Sequence, residues 1–261
     1  QAKAKRWRER KQLIAQGRQS ADPKVVDAAY RLDENNTSVE MARLSQAAYE
    51  PGTAPVGWSN GSDNEEAVAA IGLHPSDLHP GNSHFSAEFF NPNPKVFGDD
   101  MKPTIAFRGT KPSYIDDIQN DLAQGIGGSS SYYKNAVNIG SKIKSAGAED
   151  SVNMTGHSLG GGLASAASGA SGAQAWTFNA AGLNPDTISR YGGDAVPVSI
   201  TAYQTDGEML TSLQESGGLD FLSPFKSLVG KLMPDAAGSK RSIPASSCLL
   251  YTSPSPRDRQ K

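Results

Sequence analysis

The sequence predicts an α/β fold: a mainly parallel central sheet flanked by helices, with a helical extension at the N-terminus. Three observations predict it. Short apolar runs bounded by chain breakers recur between residues 104 and 203. A stretch of helical periodicity separates the first two. One run passes through a Gly-x-Ser-x-Gly turn directly into a helix of small residues.

Residues 1 to 18 and Lys24 to Leu32 read as helices of mixed polarity. The first carries Lys3, Lys5, Arg6, Arg8, Arg10, Lys11 and Arg18 against Glu9 alone. Its plain reading is a basic, solvated helix face. The run Asp33-Glu-Asn-Asn-Thr-Ser38 reads as a polar break. Ser38 is then the N-cap of a helix from Val39 to Tyr49, with Met41, Leu44 and Ala48 on one face. This divides the chain into a basic helical extension, 1–36, and a larger domain, 37–246. Residues 50 to 84 are rich in Gly, Pro, Asn and Ser and read as an irregular surface segment. Phe85 to Phe90 reads as a strand, and Asn91-Pro-Asn-Pro as a turn.

The core strands follow. Thr104 to Phe107 lies between Pro103 and Gly109. Val152 to Thr155, Ala173 to Phe178 and Val196 to Tyr203 are the others. Between the first two, Tyr132 to Ser145 spaces Ala136, Ile139 and Ile143 for one buried helix face. Strands alternating with helices argue for a parallel sheet covered on both faces. Further on, Phe221, Leu222, Phe225, Leu228, Val229, Leu232 and Met233 form a helical stripe. It reads either as a core helix or as a cap that opens at a lipid surface. From Cys248 the chain has no periodicity and resembles a conceptual translation of adaptor DNA, so 247–261 is set apart as a non-native tail.

Composition narrows the function. Hydrophobic residues make up 37%, enough for a sizeable core. A net charge of −2 gives no electrostatic case for a nucleic-acid partner. No apolar run reaches the roughly 20 residues that span a bilayer. No signal peptide is visible ahead of Gln1, which leaves localisation and export route open, including secretion without a signal peptide. The single cysteine, Cys248, permits no intrachain disulfide.

The chemistry centres on Thr155-Gly-His-Ser-Leu-Gly-Gly-Gly162. A β-type run precedes it, and the small-residue helix Leu163 to Ala170 follows. In that setting Ser158 occupies a sharp strand-to-helix turn, and Gly156 and Gly160 leave room where strand and helix crowd. The helix N-terminus then aims amides at a reacting oxygen. This is the nucleophile elbow of an α/β-hydrolase.

Four stretches carry a wider resemblance, over roughly residues 40 to 210. They are Ala42-Arg-Leu-Ser-Gln-Ala-Ala-Tyr49, Ile105-Ala-Phe-Arg-Gly-Thr110, Thr155-Gly-His-Ser-Leu-Gly-Gly161 and Thr177-Phe-Asn-Ala-Ala-Gly182. In this order they resemble the class 3 (fungal lipase-like) α/β-hydrolases and related bacterial lipases and phospholipases. The resemblance implies hydrolysis of lipid esters by a Ser-Asp-His triad, without metal or organic cofactor. It implies an oxyanion hole from the amides of Thr110 and Leu159, and a bracing role for Arg108. The acid follows the serine in such folds, and Asp206, just past the strand ending at Tyr203, is the first choice; Asp194 and Glu208 are rivals.

The base is the difficulty. The four histidines are His74, His79, His84 and His157, and none follows Ser158. His157 occupies a variable elbow position and points away from where a base must sit. Two explanations stand: a base recruited from upstream, or a histidine beyond the point where the adaptor-like tail begins. The three upstream histidines fit no metal-site spacing, so no metal is expected. The expected function is a serine carboxylester hydrolase on acylglycerols or phospholipids, with lipid as partner and possible membrane-surface contact through Phe221 to Met233. A thioesterase or peptidase on the same fold, or a non-catalytic lipid-binding domain, are the alternatives.

Overall fold

In the computed structural model, residues 1–81, 83–109, 131–205 and 237–243 are described. Helix α1 spans Ala2–Arg18. Helix α2 spans Pro23–Ala47, with Asp22 accepting from the Lys24 amide as N-cap and Pro23 at the first position, where its missing N–H costs nothing. The polar run Asp33–Ser38 is therefore not a break, and Ser38 is not a cap. Three of the run's side chains are held by neighbouring elements instead. Asp33 pairs with Lys11 and Arg18, Glu34 with Arg241, and Ser38 Oγ lies 2.7 Å from Tyr203 Oη. The boundary expected after residue 36 falls inside α2.

Among the described residues, seven strands form one sheet in sequence order: β1 (Trp58–Asn60), β2 (Ala87–Pro92), β3 (Thr104–Phe107), β4 (Asn153–His157), β5 (Ala175–Phe178), β6 (Ile200–Thr205) and β7 (Ser239–Ile243). The first two pairings are antiparallel and the other four parallel. Short helices α3 (Glu65–Ala69) and α4 (Pro75–Leu78) precede β2, and α5 (Pro94–Phe97) follows it. Helix α6 is Ser131–Ser145, α7 is Leu159–Ser171 and α8 is Thr187–Arg190.

Alternation along the strands sorts side chains onto two faces. Phe89, Ile105, Phe107, Met154 and Ala175 pack with Ile139 and Ile143 of α6 and Leu163 and Ala167 of α7. Phe90, Ala106, Trp176 and Tyr203 point the other way, onto Trp7 of α1 and Met41, Leu44 and Ala48 at the α2 end. The sheet is thus mostly parallel and helix-covered on both faces. The second cover is stitched by polar contacts. Thr155 donates to the Trp176 carbonyl at 2.9 Å, and its oxygen meets Ser45 Oγ of α2 at 2.8 Å.

Two sequence expectations change. Residues 50–84 are not merely a surface segment: Val68, Ile71, Leu73 and Leu78 are buried in the first core. Asn91-Pro92 is the end of β2 rather than a turn, and Asn93 caps α5. The basic helix is also less solvated than its charge suggests. Lys3 is buried and bonds Glu40 at 2.7 Å; burial pushes its ammonium below the usual range, against the pull of Glu40. Among the described residues, no helix is long and apolar enough to cross a membrane.

Candidate active site

The C-terminal ends of β3, β4, β5 and β6 lie at one edge of the sheet. Ser158 sits there, between β4 and α7, with φ 56 and ψ −127. A non-glycine residue at positive φ is strained, and such strain marks sites whose surroundings hold it in place. Here the holding contacts are visible. The Ser158 amide donates to the Phe178 carbonyl at 3.0 Å, and its carbonyl accepts from Gly161 and Ala181, both at 2.9 Å.

The flanking glycines follow from the same crowding. A Cβ on Gly156 would press into the Gly160 carbonyl, and one on Gly160 into the Phe107 carbonyl, with the Gly109 nitrogen 2.8 Å away. The exit of β3 therefore rides directly over the elbow. Leu159 opens α7, so its amide belongs to the helix N-terminus beside Ser158. Thr110, one residue past Gly109, lies outside the described residues, as does Asp206, one residue past the end of β6 at Thr205. Glu208 and the stripe from Phe221 to Met233 are outside them too.

The rival Asp194 is at the wrong end of the sheet. It is exposed on the loop leading into β6. Nearby, the Val196 amide bonds the Gly169 carbonyl, ten residues along α7 from Leu159, or roughly 15 Å of helix. The upstream histidines have described contacts of their own. His74 opens α4, its amide bonding Asp77. His79 meets Ser86 Oγ through Nδ1 and Glu88 Oε1 through Nε2, both at 3.3 Å, the latter an ion-pair distance rather than an aligned hydrogen bond. Burial pushes the Glu88 carboxyl up, but the nearby His79 and hydrogen bonds from Asn60 and Ser62 outweigh it and hold it below the ordinary carboxylate range. The His84 carbonyl accepts from Arg108 at 2.6 Å, which fits a bracing arginine.

Two groups at the edge were not assigned from the sequence. Tyr49 Oη lies 3.1 Å from His157 Nδ1 and packs against Gly109. Asn179, at φ 44, follows β5 and donates to the Tyr203 carbonyl at 2.8 Å. Both lie in stretches that carried the resemblance, the one signal that could have singled them out.

Residues 40–248 match the family model described as phospholipase-like, the Tle-like phospholipase domain. The chain belongs to this Tle-like family. It is also 34% identical over 187 residues to an extracellular phospholipase A1 of Serratia liquefaciens. That alignment covers 69% of this chain and 55% of the relative's length. The Tle-like region thus takes in the elbow, the sheet edge around it and the last third of α2, but neither α1 nor the start of α2.

Proposed function

We propose that this chain is the catalytic part of a phospholipase of the A type, an α/β-hydrolase allied to the class 3 lipases, which cleaves a carboxylic ester of a glycerophospholipid by attack of Ser158. The observation that carries the reading is the strained Ser158 backbone at a strand-to-helix turn, in a family named for phospholipase activity.

In this scheme Ser158 Oγ attacks the ester carbonyl carbon and loses its proton to a histidine. The amides of Leu159 and Thr110 hold the developing oxyanion. Collapse expels the lysophospholipid alcohol, which takes the proton, and leaves an acyl-serine. Water, deprotonated by the same histidine, attacks the acyl carbon; the bond to Ser158 Oγ breaks, the histidine returns the proton to that oxygen, and the fatty acid leaves. Asp206 orients that histidine. The stripe Phe221 to Met233 serves as the lipid-surface contact. No step asks for a metal or organic cofactor.

The test is a fluorophosphonate probe on the full-length protein, read by peptide mass, beside fatty-acid release from phosphatidylcholine and triacylglycerol. The expected result is an adduct on Ser158 and release from phosphatidylcholine. Ser158→Ala should abolish the adduct and lower release at least about 1000-fold. No adduct would leave a non-catalytic lipid-binding domain. An adduct with turnover of thioesters or peptides alone would leave the fold reading and overturn the substrate.

A further inference from the structure

The edge that carries Ser158 has a seam. On one side the elbow leans on β5: the His157–Phe178 register is the last of that ladder, and the Ser158 amide bonds the Phe178 carbonyl. On the other side the exit of β3 leans on β2, through the Arg108 amide on the Ser86 carbonyl and the Arg108 guanidinium on the His84 carbonyl. Between β3 and β4 themselves the register ends at Phe107 and Gly156. Past that point Gly109 and His157 run side by side without a ladder.

Tyr49 spans this gap. It follows the end of α2, whose Ala48 is buried in the second core. Its phenol oxygen meets His157 Nδ1 at 3.1 Å and packs against Gly109. The fit is close enough that a Cβ on Gly109 would collide with the phenol oxygen. A phenol has one proton and two lone pairs. The phenol oxygen and His157 Nδ1 therefore share one proton, and loss of the phenol shifts the tautomer balance of the imidazole.

We propose that Tyr49 is the positioning residue of the oxyanion hole. It ties Gly109, the residue before one candidate donor, to His157, the residue before the nucleophile. The proposal rests on the serine-hydrolase reading above. An oxyanion hole works only when its donors are fixed relative to the attacking oxygen before charge develops. Here one donor follows β3 and the other opens α7. Loss of the bridge lets the two segments drift while substrate still binds, so kcat falls and KM does not.

The test uses Tyr49→Phe and His157→Leu, singly and together, in the full-length protein. Rates are measured per active site titrated with fluorophosphonate. Either single variant should lower kcat and the rate of fluorophosphonate inactivation about 10-fold, below the 100- to 1000-fold cost of deleting a donor outright. KM should stay within about twofold, and the double variant should lose no more than a single one, because both cut the same bridge. Site-specific 3-fluorotyrosine at position 49, which keeps the oxygen, should restore the rate. Nitrogen NMR of His157 should show the proton redistributed between its ring nitrogens in Tyr49→Phe. Where Tyr49→Phe does not fold, His157→Leu and the fluorotyrosine protein carry the test. Unchanged kcat per titrated site, whatever the melting temperature does, overturns the proposal, and so does a double variant that loses the product of the two single losses. Failure of the wild type to label at Ser158 strikes the underlying reading instead, and the NMR shift then reports on the bridge alone.

Discussion

At the scale of single residues, the elbow is a packing problem with few solutions. Ser158 is held at φ 56 while β4 turns into α7. Gly156 and Gly160 then face carbonyl oxygens closer than a methyl group permits. Backbone cannot move aside as a flexible side chain does. Gly160→Ala should therefore destabilise the fold by about 1–3 kcal/mol or more and abolish labelling at Ser158. Gly81→Ala is the control: nothing stands within 4 Å of its added methyl, and its stability should stay within about 0.5 kcal/mol of the parent. Urea denaturation of both variants decides it; equal stabilities would mean that the elbow relaxes without strain. The elbow glycines were legible in the sequence because the motif states a steric need. Tyr49 was not, because a tyrosine after a helix carries no spacing that predicts where its oxygen lands.

Among the secondary-structure elements, the same contrast recurs. β3, β4 and β5 were readable as apolar runs because both of their faces are covered. β1 and β7 escaped notice: one is three residues long and the other reads Ser-Lys-Arg-Ser-Ile, as edge strands do when one side meets water. Helix α3 and the buried Val68, Ile71, Leu73 and Leu78 escaped because the turns are too short to show a period. Helix α2 was misread for a different reason. Local propensity does favour a break at Asp33 to Ser38, but distant partners outweigh it. The same helix carries Glu40, 3% exposed, which holds buried Lys3 and accepts from Trp58 Nε1 at 2.9 Å, while Arg43 pairs with its other oxygen. Removing one partner of a buried pair strands the other. Glu40→Ala should cost about 3–5 kcal/mol in urea unfolding. Lys3→Met should cost clearly less, because Glu40 keeps Arg43 and Trp58. Equal costs would show that the pair is insulated by water rather than buried.

For the molecule as a whole, the question is what the N-terminal layer does for a domain whose family match begins at residue 40. Its basic charge suggested a solvated face, yet Lys3, Ala4, Trp7 and Ile14 are buried. Trp7 meets Phe97 edge-on at 4.9 Å and donates to Asp100 at 2.9 Å, and Phe97 in turn packs on Trp58. A chain starting at Glu40 would lose all of α1 and keep only Glu40 to Ala47 of α2, too short to be a stable helix without its neighbour. Trp58, Phe90, Phe97 and Met101 would lose cover, and Glu40 would lose Lys3. The first face, with α6 and α7, would keep its packing. One face intact and one bare is the recipe for retained secondary structure without fixed tertiary contacts. The expected outcome for residues 40–261 is far-UV circular dichroism near that of the parent, loss of the near-UV signal, binding of an apolar dye and a broad thermal transition. A sharp transition with the near-UV signal kept would mean that the sheet does not need α1, and that the extension is an addition to a domain already complete without it.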